Sequence, residues 1–225
     1  HAHAVLKLQH NKTDANDARL LAEIARTGFC RPVSVNSEAA QKHRILIKAR
    51  LHLVRQRRDT QNAIRGFLGA LGIRFAKGAG TLDRRVRTAL AERPDLAAMI
   101  EPLVSSAEAL RAQIKRLDAE VAREAKASAA CRLLMTVPGV GMVTALAFAA
   151  TIDDAGRFPR SRAVGAYLGL TSRRHQSGEM DYAGRISKQG DGLLRGLLYE
   201  AANSLLTIVR KAHPLKDWAR RVRKR

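Results

Sequence analysis

Apolar residues recur along this chain at the three- and four-residue steps of an α-helix, in separate stretches with a stop between each. Ala4–Gln9 is a short apolar run of weak strand character. Thr13 or Asp14 can then cap a helix that runs to about Thr27 and is ended by Gly28. Cys30–Asn36, with Pro32, reads as a linker. Ser37 caps a long helix, roughly Glu38–Leu71, with an apolar stripe of Leu46, Leu53, Ile64, Phe67, Leu68 and Leu71. Gly69-Ala70-Leu71-Gly72 closes it, a glycine-rich loop occupies 75–81, and a helix covers Leu82–Glu92. Pro94 breaks the pattern.

The most regular stretch follows. Leu103, Ala107, Leu110, Ile114, Leu117 and Val121 fall at alternating four- and three-residue steps, the seam of a coiled coil, and the seam weakens at Glu124. Arg111, Lys115, Arg116, Glu120 and Arg123 make the polar face. At ~1.5 Å per residue, Leu103–Ala125 spans about 35 Å. The seam can pair with the Glu38–Leu71 helix or with a second chain, and a plain amphipathic helix on a globular core gives a similar pattern.

The last third turns on Leu133–Arg195. Leu133–Ile152 carries no charge and has roughly the ~20 residues of a membrane span, but Pro138-Gly139-Val140-Gly141 interrupts it. The interruption instead predicts two helices around a tight turn, the layout of a helix-hairpin-helix, in which bare amides at Gly139 and Gly141 hold a DNA phosphate. An ordinary helical hairpin reads the same way. Asp153-Asp154 caps a short segment, and Phe158-Pro159 leads into a helix over Ser161–Leu168. Thr171–Lys188 forms a hairpin or irregular loop. Asp191 caps a helix to about Lys211 that buries Leu193, Leu194, Leu197, Leu198, Ala201, Leu205 and Ile208. Lys216–Arg225 is strongly basic. The chain is expected to be mainly α.

Charge narrows the partners. The chain has 41 Lys and Arg against 20 acids, a formal net charge of +21 over 225 residues. Such an excess points to a polyanion. Aromatics are only 4% of the chain, which argues against single-strand binding by base stacking and makes phosphate-backbone contact the better expectation. Two distant cysteines, Cys30 and Cys131, offer neither zinc spacing nor a disulfide framework and suit a reducing cytosol. Gly78-Ala79-Gly80 lacks the Gly-Lys-Ser/Thr of a phosphate-binding loop. The opening His1-Ala2-His3 is read as a flexible edge, not a metal site.

Two groups of residues carry candidate chemistry. Asp14 and Asp17, three apart, share a helix face and can share a hard cation such as Mg²⁺, but on the residues alone acids favoured by the helix dipole are the better explanation. Ser177 precedes Gly178, which lets the chain turn and expose the hydroxyl, with Arg173, Arg174 and His175 just upstream. Ser187, between Ile186 and Lys188 and just before Gly190, is the competing serine and suits a phosphate-cradling role. Arg185 and Lys188 add positive charge.

Taken together, these residues resemble the IS-one-ten family of bacterial insertion-sequence transposases, which includes the Piv-type DNA invertases. Lys12-Thr13-Asp14-Ala15-Asn16-Asp17-Ala18 resembles the motif closing that family's RuvC-like, RNase-H-type domain. Val137–Gly141, Ala166–Leu170, Gln176–Gly178 and Gly184–Gly190 resemble, in order, segments of its C-terminal transposase domain. The resemblance implies an α/β remnant over 1–30, a helical coiled-coil region over 31–130 and a transposase domain over 131–225. It places two of four metal-binding carboxylates on Asp14 and Asp17 and the nucleophile on Ser177. The family's first Asp and its Glu lie on strands upstream of this motif, so the chain is expected to be an internal piece, incomplete as an enzyme. Double-stranded DNA, a structured guide RNA, Mg²⁺ and a homo-oligomer formed through the coiled coil are the implied partners, in the bacterial cytoplasm at the nucleoid, with no membrane.

Two other readings use the same residues. One is a non-enzymatic helix-hairpin-helix DNA-binding protein, with Ser177 a turn residue. The other is a basic RNA-binding protein whose coiled coil is the functional part.

Overall fold

The computed structural model describes residue 11 and residues 13–28, 34–76 and 82–223. It divides into two compact units, His1–Val35 and Asn36–Arg225. The Ala4–Gln9 run, His1, His3, Cys30 and Gly78–Gly80 lie outside the described residues.

In the first unit, helix α1 spans Asp14–Arg26. Thr13 stays extended, and its hydroxyl accepts the N–H of Asn16 at 3.2 Å. Asp14 and Asp17 occupy the first turn, where the dipole favours acids, and Arg26 the last. Gly28, at φ +66°, ends the helix as the sequence anticipates.

The second unit is built on α2 (Glu38–Ala70) and α4 (Pro94–Ala127), with α3 (Leu82–Leu90) between them in sequence. The two long helices run antiparallel. His43 meets Glu124 and Arg50 meets Asp118 toward one end, while Ile64 and Leu68 share a core with Ile100 and Val104 toward the other. Ala107, Ile114 and Val121 of the expected seam are buried. α2 of the same chain packs along this seam, the intrachain pairing that the sequence left open beside pairing with a second chain. On α2 the buried line is Ala40, Ile47, Gln61, Ile64 and Leu68, most of it at seven-residue steps, because the partner is itself a heptad seam. Phe67 and Leu71, expected in the stripe, are more than half exposed. Pro94 does not end a helix but opens α4 at its first turn, where its missing N–H costs nothing. Buried Gln61 donates to buried Asp83 at 3.2 Å and so ties α3 to α2.

The other end of the helical pair merges with the C-terminal segment. Ile47, Val121 and Ala125 share one core with Cys131 of α5 (Ala129–Leu134), Ala145, Leu146 and Ala147 of α6 (Met142–Ile152), Leu168, and Leu194 of α8 (Gly192–Thr207). No described helix is long and apolar enough to cross a membrane. Asp154 caps a short 3-10 turn, Ala155–Arg157. Asp153 instead reaches back to the start of α2, accepting the Ser37 N–H at 2.6 Å and the Ser37 hydroxyl at 2.8 Å, while Ser37 Oγ accepts the Ala40 N–H at 3.1 Å. These bonds hold the Asp153 carboxyl below its ordinary value, the Ser37 N–H contributing most. α7 covers Ser161–Tyr167, β1 Ser172–Ser177, β2 Met180–Ile186 and α9 Pro214–Arg223. α8 stops at Thr207, not Lys211, and Ile208 beyond it is exposed, not buried.

Candidate nucleophile and nucleic-acid interface

Thr171–Lys188 folds as a two-stranded antiparallel ribbon. Ser177 pairs with Met180, His175 with Tyr182 and Arg174 with Ala183. The strands are exposed along nearly their whole length, so the ribbon stands out from the core and its stability comes from its root.

That root is made by two loops pressed together. A Cβ on Gly169 would lie 2.0 Å from the Gln189 carbonyl oxygen, and one on Gly190 would lie 2.2 Å from that of Tyr167. Both glycines have positive φ, +67° and +83°. The Lys188 N–H donates to Gly169 O at 3.1 Å, and the Ser187 N–H to Thr171 O at 2.8 Å. Arg195 Nη1, from α8, donates to Leu168 O and Gln189 O at 3.0 and 2.9 Å, clamping both sides. Asp191 caps α8 through the Leu194 N–H and pairs with Arg44 of α2 at 2.8 Å. The ribbon is thus fixed through α8 and α2 to the core.

At the tip, Gly178 has φ +55° and Glu179 does not share the positive sign, the pattern of a two-residue turn with glycine first. Ser177 ends β1 just before it, exposed, and its hydroxyl makes no side-chain hydrogen bond among the described residues. Ser187 lies at the root instead. Its Oγ accepts the Gln189 N–H at 3.4 Å, and its carbonyl accepts Arg173 Nη2 at 3.1 Å.

The predicted cations divide. Arg174 is paired with Asp181 across the strands, its Nε 2.8 Å from Oδ1. The pair lowers the Asp181 carboxyl and raises the Arg174 guanidinium, so little net charge is left there for a phosphate. Arg185 and Lys188 have no ion-pair partner among the described residues, and Lys188 is held at φ +55°.

The Pro-Gly turn serves packing at one glycine and leaves the other open. A Cβ on Gly139 would stand 2.5 Å from Ala201 O of α8, so its bareness lets α8 approach. Gly141 is exposed, has nothing near its Cβ position, and caps α6 without a side-chain bond, leaving first-turn amides available to an anion.

In the first unit, Asp17 Oδ1 is buried and has no hydrogen-bond partner among the described residues. A buried carboxylate oxygen in that state is costly unless a cation or donor meets it. Asp14, a turn earlier, is exposed. Among the described residues no cluster of three or more potential metal ligands occurs; Asp14 and Asp17 fit as part of a ligand set. Sequence reasoning missed Arg195, Gly169 and Asp153 as positioning elements. Only Gly169, in Leu168-Gly169-Leu170, carried a local turn signal.

Comparison with known proteins adds a consistent result. A family model described as "Transposase IS116/IS110/IS902 family" matches residues 131–217, and a DEDD transposase model of IS110 type matches residues 1–72. The transposase for insertion sequence element IS1111A of Coxiella burnetii is 33% identical over 208 residues, covering 90% of this chain and 57% of its own length. A probable family 20 transposase of Pseudomonas aeruginosa is 32% identical over 202 residues, 87% and 60% of the two chains. The transposase for IS1328 of Yersinia enterocolitica is 29% identical over 198 residues. The chain thus spans under two thirds of the length of these relatives.

Proposed function

The chain belongs to the IS116/IS110/IS902 family of transposases, and on that premise we propose that it carries the serine and two of the metal-binding carboxylates of a recombinase that cuts and rejoins DNA. Residues 1–30 close an RNase-H/RuvC-like domain, and residues 131–225 make the transposase domain that bears Ser177. The observation that supports this most is Ser177 itself, an unpaired hydroxyl at the tip of an exposed ribbon rooted on two fixed helices.

In this reading the Ser177 oxygen attacks a DNA phosphodiester. An Oγ–P bond forms, the bond from phosphorus to one DNA oxygen breaks, the serine proton passes to a base, and the departing oxygen takes up a proton. The phosphoserine link keeps the strand's bond energy, and reversal rejoins DNA ends. Arg185 and Lys188 hold the flanking phosphates and offset charge developing on phosphorus. Asp14 and Asp17 would hold part of the coordination of a divalent cation, Mg²⁺ by resemblance, and that cation would supply Lewis acidity when bound. The unpartnered Oδ1 of Asp17 supports that placement. The amides at Gly141 are a second phosphate contact. A structured guide RNA suits the outer faces of the helical pair, where Lys48, Arg55, Lys115 and Arg116 are exposed. A homo-oligomer formed by further packing on this helical pair is part of the same reading.

The test is a covalent adduct. The element's full-length transposase, incubated with DNA carrying the element's ends and with its RNA, should yield a protein–DNA species that survives denaturant. Ser177→Ala should abolish it while DNA binding stays within a few-fold. Ser187→Ala should slow the reaction by roughly 10²–10³, the loss of one transition-state hydrogen bond. An adduct that persists in Ser177→Ala moves the role to Ser187.

A further inference from the structure

Alternation along β1 puts Arg173, His175 and Ser177 on one face of the ribbon, and the register adds Met180 opposite Ser177 and Tyr182 opposite His175. The His175 and Tyr182 rings stack across the strands, with centroids 5.1 Å apart and planes 19° from parallel. Tyr182 is 57% exposed and Met180 66%. Beside the stack, Gly184 carries no side chain; a Cβ there would come within 3.8 Å of the His175 ring. In a chain with 4% aromatics, an open aromatic platform thus lies one two-residue step, about 7 Å of strand, from the candidate nucleophile.

The charges around the platform complement DNA. Arg173 is on the same face, while the ribbon's neutralised pair, Arg174 with Asp181, lies on the opposite one. Arg185 stands at the bulge where β2 carries one extra residue opposite Arg173, and Lys188 is at the root. Cations that hold phosphates on either side of an aromatic surface are what an unstacked nucleotide needs: the backbone is pinned and the base finds a π-face, whatever its identity. A cross-strand aromatic pair also steadies a hairpin, and the experiment below separates the two roles.

We propose that the His175–Tyr182 face receives a DNA base swung out of the duplex stack beside the phosphate that Ser177 attacks. The proposal rests on the reading of Ser177 as nucleophile. Extruding the base next to the scissile phosphate would open that phosphate to a hydroxyl at a ribbon tip, which an intact duplex would hold at groove distance.

The probe is a 30-base-pair DNA duplex with a single unpaired 2-aminopurine, compared with the same duplex fully paired, titrated with the purified protein by fluorescence. The wild-type protein should bind the bulged duplex roughly tenfold tighter, toward the lower end of one base–aromatic stack, and quench the 2-aminopurine. Tyr182→Phe should keep both effects. Tyr182→Val, which preserves a good strand former, should lose both while binding the paired duplex as before. No preference in the wild type, or a preference retained in Tyr182→Val, overturns the proposal. So does tighter binding of a bulged RNA than of the bulged DNA. If Tyr182→Val weakens both duplexes alike, the pair only holds the ribbon and the proposal falls. Ser177→Ala should keep the preference and the quench. If Ser177→Ala still forms the covalent adduct, the nucleophile reading fails separately, and the platform stands on the binding data.

Discussion

Replacing Gly169 with alanine should loosen the root of the ribbon far more than a typical surface change. Two costs add. The backbone at φ +67° is left-handed, and an L side chain there costs roughly 1–2 kcal/mol. The new Cβ would also stand 2.0 Å from Gln189 O and 2.5 Å from Gln189 N. Backbone cannot swing away as a side chain tip can, so the two loops must part. Parting them stretches the bonds from Lys188 N to Gly169 O and from Arg195 to Gln189 O, each a net contribution of about 0.5–1.5 kcal/mol. The total is about 2–5 kcal/mol. Gly178→Ala is the internal control, with φ +55° but nothing within 4 Å of its Cβ position; it should cost only the backbone part. Native-state hydrogen exchange reads the difference locally, at the Ser187 and Lys188 amides, and denaturant unfolding reads it globally. Adduct formation through Ser177 should fall further than DNA binding, because the tip is aimed through this root. If Gly169→Ala costs no more than Gly178→Ala, the overlap argument is wrong.

Ser37→Ala should cost about 1 kcal/mol as a lost helix cap, seen as faster exchange at the Ala40 amide. Because the Asp153 carboxyl sits below its ordinary 3.8, its contribution is complete above that value and disappears as pH falls through the lowered one. The acid limb of unfolding should therefore flatten in Asp153→Asn, and an unchanged limb would show that the Ser37 contacts do not form in solution. Ile64→Ala, at a fully buried position, should cost 2–5 kcal/mol, whereas Phe67→Ala, three residues on but exposed, should stay near 0.5 kcal/mol or less; equal losses by chemical denaturation would place the buried face of α2 elsewhere. Binding to duplex DNA should weaken with salt at a slope of about 0.9 in log–log terms per phosphate neutralised, and a flat response between low and moderate salt would remove phosphate contact as the main term.

Local chemistry in the sequence was enough for several of the element ends. Thr13, Ser37 and Asp191 each satisfy helix amides with their own side chains, and Gly28 and Gly178 supply left-handed turns, so those boundaries depend on neighbours a few residues away. The seam of Leu103–Val121 was likewise legible, since its period is a property of one helix. Its partner was not. Either another helix of this chain or another chain would bury the same stripe, and only the short path through α3 brings α2 alongside. The choice of partner then reset the buried face of α2, which is why Ile47 is inside and Phe67 outside. Ser177 could be picked from its neighbour Gly178 and the family resemblance, but its setting could not. Gly169 with Gln189, Arg195 with Leu168, and Asp153 with Ser37 join residues from 20 to 116 positions apart. Contacts across such separations leave no period and no local propensity in the chain. They follow from how the loops close on one another, and that closure is a tertiary fact.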